Sequence, residues 1–377
     1  MDTDADLIWE ISPHTAAKHN VLKKYVEAWS AILAQGSSHR RLVFIDGFAG
    51  PGEYKGGEDG SPIVVLKALK EHKLGPNFKG TEFVNIFIEK RADRTHNLER
   101  VIRERVAPLP EWIKYDIRNS EFNTEMENIL ARLESEGRTL APCLCFVDPF
   151  GWNDLSYHVL SNVMKYEKAE LLITFMAGYL ERFVWDPNHL QSIKRLYSDQ
   201  QINAIKNSQN RENLVTKFFL ENLTDHIREG GVNDQLYSIS FATYNANNRL
   251  EYYLIYLTKH CKGLEVMKEA MLNSAKDGSY KFSDFEFDPS QTTLVDYGQE
   301  QAWIERASNE LYSLLLSMFG TSKEIQISEV KDLVTCQSKW KFRKAILAKM
   351  EESKKIRVIA ENRRRGTYPD NGFIVLN

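Results

Sequence analysis

Cysteine is scarce in this chain. There are four in 377 residues, Cys143, Cys145, Cys261 and Cys336, with no Cys-x-x-Cys pair and no zinc-site spacing. No metal is expected, and a reducing, cytoplasmic compartment fits this usage. Cys143 and Cys145 alternate along an expected strand and fill core. Long hydrophobic runs are missing too: none approaches the ~20 residues of a membrane span. The first residues, Met1-Asp2-Thr3-Asp4-Ala5-Asp6, lack the basic-then-apolar order of a signal peptide. No membrane contact is expected. Net charge is only -3, but it is unevenly spread. Between Lys339 and Arg365, 11 Lys and Arg face 3 Glu, a local surplus of 8 that leaves -11 for the remainder. A basic end points to nucleic acid or another acidic partner, or to a solvated surface.

What is present centres on Leu42-Val43-Phe44-Ile45-Asp46-Gly47-Phe48-Ala49-Gly50-Pro51-Gly52. A continuous apolar run bounded by Gly and Pro reads as a strand buried on both faces of a parallel sheet. A doubly wound sheet places its ligand at the carboxyl end of such a strand. Gly47, Gly50 and Gly52 let the backbone turn and approach a bound molecule. Asp46 at the strand end repels a phosphate and suits an ammonium or hydroxyls. The site therefore tilts towards S-adenosylmethionine (SAM) and away from a dinucleotide. Gly50-Pro51-Gly52-Glu53-Tyr54-Lys55 also lacks the third glycine of a dinucleotide fingerprint.

Acids recur at the ends of the next strands. Val84–Ile88 runs into Glu89, where a nucleotide-binding fold holds ribose hydroxyls. Trp112–Tyr115 ends at Asp116, placed to accept a hydrogen bond from an adenine amino group, and Cys143–Val147 leads into Asp148-Pro149-Phe150-Gly151-Trp152. Each acid alone is an ordinary helix cap. Four in one structural position are costly to hold together unless a ligand or water uses them.

Around these strands, Ser12-Pro13 opens a helix whose stripe is Leu22, Tyr25, Trp29, Ile32 and Leu33, with His14, Thr15 and Lys18 in its first turns. Leu171–Met176 is a fifth strand, and residues 181–230 form a polar helical insertion. Segments 236–241 and 250–257 pair as a terminal antiparallel hairpin. The fold class is α/β, a Rossmann-like doubly wound sheet in residues 1–290, and the closing hairpin is the class I methyltransferase arrangement. Phe282 to Tyr297 reads as a linker. Residues 300–377 read as a winged-helix-like domain: helices from Trp303, Ile327 and Trp340, then a ribbon of 356–359 and 372–376. Arg363-Arg364-Arg365-Gly366 stands at its wing tip, and with Lys341 and Arg343 supplies the candidate nucleic-acid contacts.

Asp46–Gly52, Gly60-Ser61-Pro62, Asp148–Trp152, the His14-Thr15-Lys18 helix and the terminal module together resemble the three-Cys-motif partner family. That resemblance implies a radical-SAM-like protein with a three-cysteine motif as partner. The chain is also similar to SAM-dependent methyltransferases that modify exocyclic amines of nucleobases. Their Asp/Asn-Pro-Pro-Tyr/Phe signature is matched by Asp148 and Pro149, with Phe150 one place early and Gly151 at the usual aromatic position. The likeness implies that Asp148 and the Pro149 carbonyl orient the amine, while Phe150, or Trp152 in its stead, stacks on a flipped base. On this reading the Asp46, Gly47, Phe48, Ala49, Gly50 and Gly52 loop holds the methionine end of SAM. Glu89 holds the ribose and Asp116 the adenine, and His14 and Lys18 close the site. The other function class is a non-catalytic, SAM-sensing or nucleic-acid-binding protein of the same fold.

Overall fold

The apolar run Leu42–Ile45 lies inside a parallel sheet, and all four side chains are buried. The computed structural model describes residues 6–35, 39–78, 80–275, 281–283, 297–361, 363–364 and 366–377. Its contacts divide the chain into two units, Met1–Gly263 with Lys281–Phe287, and Leu264–Tyr280 with Asp288–Asn377.

The first unit runs α1 (Pro13–Gln35), β1 (Arg41–Asp46), α2 (Ser61–Lys70), β2 (Glu82–Glu89), α3 (Ala92–Arg105), β3 (Ile113–Asn119), α4 (Phe122–Ser135), β4 (Cys143–Val147), α5 (Tyr157–Met164) and β5 (Ala169–Phe175). Next come α6 (Ala177–Phe183), α7 (Leu190–Ile193), α8 (Asp199–Asn207), α9 (Arg211–Glu229), β6 (Tyr237–Tyr244) and β7 (Leu250–Thr258). Then follow α10 (Cys261–Leu272), whose residues from Leu264 belong to the second unit, and β8 (Lys281–Ser283). The sheet order is β3-β2-β1-β4-β5-β7-β6-β8. Strands β1 to β5 pair in parallel, and β7 is antiparallel to both neighbours. This is a Rossmann-like, doubly wound sheet with an antiparallel β7 among its later strands and its switch point between β1 and β4.

Three local differences from expectation have physical causes. Strand β3 continues three residues past Asp116, because an edge strand alternates polar and apolar and its apolar run breaks off early. The expected linker from Phe282 begins with β8, which pairs with β6; residues 284–296 lie outside the described residues. On α1 the buried face passes through Lys18, Val21, Leu22, Tyr25, Val26 and Trp29, leaving Ile32 exposed. That helix is tied to the sheet by the Tyr25 hydroxyl, which donates to Glu170 at 2.7 Å and lies 2.5 Å from the Tyr256 hydroxyl.

The second unit contains α11 (Tyr297–Phe319), β9 (Glu324–Gln326), α12 (Ile327–Gln337), α13 (Lys344–Glu352), β10 (Ile356–Ile359) and β11 (Phe373–Leu376). Its antiparallel sheet has the order β10-β11-β9. The last helix begins at Lys344 rather than Trp340, since Arg343 before it is extended. Trp340 is instead buried in the connection, with its indole donating to Glu310 at 2.9 Å. The buried Lys268 ammonium donates to the carbonyls of Val334, Thr335, Ser338 and Trp340 at 2.5–3.2 Å, capping the end of α12 with a positive charge. Burial pulls its pKa down to about 8.

Lys268→Met is expected to strand these carbonyls and cost about 2–3 kcal/mol. Hydrogen-exchange protection across residues 327–350 should fall in the variant and stay unchanged in the first unit's sheet.

Candidate functional site

The glycine turn after β1 is held from beneath by Asp46. Its carboxylate is fully buried, accepting the Phe48 N–H at 3.1 Å and the Ser61 hydroxyl at 2.6 Å. Asp46, expected to serve the ligand loop, ties the turn to the first residue of α2 and is not among the residues lining the adjoining hollows. Burial lifts its pKa to about 7. Gly47 lies flat on the Phe122 ring, where a Cβ would collide. Gly52 has φ +84°, and a Cβ there would sit 2.7 Å from Leu98. The far side of the turn is braced by α3: Asn97 donates to the Pro51 carbonyl at 2.8 Å, and Arg100 and Arg105 both pair with Glu53.

Two hollows flank this turn. The larger, about 300 Å³, is lined by Phe48, Ala49, Gly50 and Gly52 of the turn, by His14 and Lys18 of α1, and by Asp148, Pro149 and Phe150 after β4. Trp9, Thr174, Tyr179 and Tyr252 complete its wall. The smaller, about 70 Å³, is lined by Gly47, Phe48, Glu89, Ser120, Glu121, Phe122 and Phe150. Phe48 and Phe150 border both. Glu89 is 94% buried, and one carboxylate oxygen accepts the Gly50 N–H at 3.1 Å and the other the Arg91 N–H at 2.8 Å. Two fixed backbone donors leave the acid aimed, with lone pairs to spare.

Lys18 sits at the other acid. Its ammonium donates to both oxygens of Asp148, at 2.6 and 2.7 Å, and lies 5.3 Å from the centre of the Tyr252 ring. Lys18 thus holds Asp148 in place. His14 borders the cavity edge-on to Tyr252, whose hydroxyl donates to the His14 carbonyl at 3.0 Å. The neighbouring His19 is buried, and burial with the Lys18 charge brings its pKa down to about 4, so it is neutral.

Phe150 is 56% exposed, packing edge-on against Trp9 at 5.4 Å, while the buried Arg94 guanidinium lies 4.9 Å from the Trp9 ring centre. Trp152 does not offer a stacking face, because it is buried and its indole donates to Ser192. Asp116 is not at a strand end either. It faces solvent in the middle of β3, paired with Arg118 at 2.6 Å, and borders neither hollow. Ser120 and Glu121 stand where Asp116 was expected.

The basic residues of the second unit are mostly engaged within it. Arg363 forms a two-point pair with Glu351 at 2.6 and 2.8 Å, and Lys341 pairs with Glu269 at 2.7 Å. Arg343 lies over the Trp303 ring at 4.7 Å. Arg364 is exposed, and Arg365 lies outside the described residues. Of the five candidate nucleic-acid contacts, Lys341, Arg343 and Arg363 are thus engaged within the unit.

Sequence reasoning missed Trp9, Ser120, Glu121, Thr174, Tyr179 and Tyr252. Thr174 had a signal, a hydroxyl in an otherwise apolar strand; its oxygen is buried without a hydrogen-bond partner among the described residues. Trp9 had none, since it lies in a segment with no periodicity. Among the described residues no three His, Cys, Asp or Glu are grouped to hold a metal ion, and no helix is long and apolar enough to cross a membrane.

No family model matches the chain, and no curated protein matches it. Among solved structures it is similar to Trm1 from Pyrococcus horikoshii in complex with S-adenosyl-L-methionine. There the TM-score is 0.40 and identity 10%, over 99% of this chain and 92% of that one. It is also similar to PKMT2 from Rickettsia typhi in complex with AdoHcy, with TM-score 0.31 and 9% identity, over 89% of this chain and 73% of that one.

The buried Asp46 makes a pH prediction. Its folded pKa of about 7 exceeds that of an unfolded carboxyl, so the folded chain binds more protons between about pH 4 and 7. Stability from this group therefore falls as pH rises through that window. Asp46→Asn keeps an acceptor for Phe48 and removes the titration. In denaturant melts, the loss between about pH 5 and about pH 8 should shrink by about 2 kcal/mol in the variant.

Proposed function

We propose that the first unit is a SAM-dependent methyltransferase that modifies an exocyclic amine of a nucleobase in DNA or RNA. One observation carries the reading: the braced glycine turn stands between an aimed, buried Glu89 and a cavity faced by Asp148-Pro149-Phe150. The residues fit the cofactor. An acceptor-only carboxylate held by two N–H groups suits a ribose diol, and the Phe48, Phe122 and Phe150 rings suit a purine. The larger hollow, near the lower end of the ~300–1,000 Å³ of small-molecule sites, takes the methionine end and the target. The ribose role of Glu89 and the loop roles of Gly47, Phe48, Ala49, Gly50 and Gly52 are kept; Ser120 and Glu121 take over the adenine edge from Asp116.

When bound, SAM supplies an electrophilic methyl group. The chain's own work is positioning. Lys18 holds Asp148 fixed, and its carboxylate retains lone pairs for an N–H of the target amine. The Pro149 carbonyl already accepts the Gly151 N–H at 3.0 Å and has one lone pair left for a second. The exposed Phe150 ring is free to stack on the base. His14 closes the rim beside Tyr252.

The prior use of these acceptors by Lys18 and Gly151 favours a second reading, a non-catalytic SAM-sensing or nucleic-acid-binding protein. We read the second unit as winged-helix-like, on the strength of its helices and antiparallel ribbon. Likeness to three-Cys-motif partner proteins supports a cytoplasmic setting and a radical-SAM-like partner.

Calorimetric titration with SAM and S-adenosylhomocysteine, with NAD as control, tests the cofactor. Binding in the micromolar range is expected for the first two only. Glu89→Gln places an amide donor against one of the two backbone donors, Gly50 or Arg91, and should weaken SAM binding at least about tenfold. Asp148→Ala should keep SAM affinity and lose methyl transfer to nucleic acid. Absence of SAM binding in the wild type would reject the methyltransferase and SAM-sensing readings and leave only a nucleic-acid-binding protein, whereas SAM binding without transfer on any nucleic acid would select the second reading.

A further inference from the structure

We propose that a strip of rings and cations leading out of the larger cavity, Tyr179, Arg182, Trp185 and Lys206, holds single-stranded nucleic acid. It rests on the reading above for what the strand does there, though not for its being bound. Among the described residues of the first unit, the exposed aromatic side chains are Tyr115, Phe150, Tyr179 and Trp185. Phe150 and Tyr179 both line the cavity, and Trp185 lies two three-residue steps along the chain from Tyr179. Three residues of helix rise ~4.5 Å, so Tyr179 and Arg182 are surface neighbours on α6. Trp185 follows just past the helix end and is 56% exposed.

Each ring of the strip carries a cation. The Arg182 guanidinium lies 4.3 Å from the Tyr179 ring centre, and the Lys206 ammonium 5.2 Å from that of Trp185. Neither cation has an acidic partner among the described residues. The nearby acids are already used: Glu181 pairs with Arg211 at 3.2 Å, and Asp186 accepts the Asn188 N–H at 2.9 Å. Placement of the strip is built into the backbone. Gly178 rests directly on the Leu250 carbonyl, where any Cβ would collide, and this sets the neighbouring Tyr179 at the cavity rim.

Exposed rings, each beside a cation without an acidic partner among the described residues, match a splayed strand, whose bases stack on aromatic and guanidinium planes while its phosphates meet the charges. A duplex keeps its base faces to itself and offers such rings nothing. An acidic polypeptide would satisfy the cations but leave the rings unused.

The test is fluorescence anisotropy on the full chain without SAM. Its probe is a labelled mixed-sequence oligonucleotide of about 12 nucleotides, as DNA and as RNA, single-stranded and in duplex. The single strand should bind more tightly than the duplex. Trp185→Ala should weaken single-strand binding by about 5- to 100-fold, the worth of one stacked base, while Trp185→Phe restores it. Replacing both Arg182 and Lys206 by Ala should lower the salt slope by about 1.4, at about 0.7 per phosphate contact on a single strand. The inference is overturned if Trp185→Ala binds like the wild type, if the duplex binds as tightly, or if polyglutamate displaces the strand as well as unlabelled oligonucleotide does. SAM titration of the same variants separates the two proposals. Strand binding with this variant pattern but without SAM binding would leave the strip standing and remove the methyltransferase reading.

Discussion

A buried carboxylate governs the architecture of the site. Asp46 accepts one hydrogen bond from the turn that follows it and one from the helix that follows the turn. The turn is thereby closed at both ends, and its outer side is held by the Asn97, Arg100 and Arg105 side of α3. Everything that reads as functional is placed relative to that closed turn. Glu89 is aimed by a hydrogen bond from Gly50, and the hollows lie on its two flanks. Asp46 is buried with both hydrogen bonds spent on the turn and α2, whereas Glu89 borders a hollow, so building the turn and facing the hollow fall to different acids.

The same division of labour appears at the second acid. Asp148 stands at the switch point, half open to the cavity, and its partner is an ammonium delivered by α1. Two hydrogen bonds from one ammonium, to both carboxylate oxygens, fix the direction in which the acid faces the cavity. The neutrality of His19 beside it belongs to the same pattern, since a second cation there would compete for Asp148.

Much of this was legible from residue order. Strands β1 and β4 announce themselves as apolar runs that end in an acid, and the terminal β6–β7 hairpin is visible from two β-rich segments around an Asn-rich turn. What escaped has identifiable causes. Asp116 was misplaced because the outward side of edge strand β3 is polar, so its apolar run stops before the strand does. Asp46 was given to the ligand loop and Lys18 to closing the site, because residue type does not reveal that Asp46 meets Phe48 and Ser61 or that Lys18 meets Asp148. The basic stretch of the second unit looked open for the same reason: counting charges cannot see that Glu269 and Glu351 sit opposite Lys341 and Arg363. Trp9 is a single ring in an irregular segment, and only three dimensions bring it to Phe150.

The cavity wall draws on residues from Trp9 to Tyr252, nearly the whole length of the first unit. The Lys18–Asp148 pair alone closes a loop of 130 residues. A site with such long sequence separations is completed late in folding, after loop-closure entropy has been met across the sheet. No fragment ending before β7 holds a finished wall, and a nascent chain acquires the cavity only when its hairpin has paired. Occupancy of the cavity is therefore coupled to the cooperative unfolding of the entire unit, not to the order of one loop.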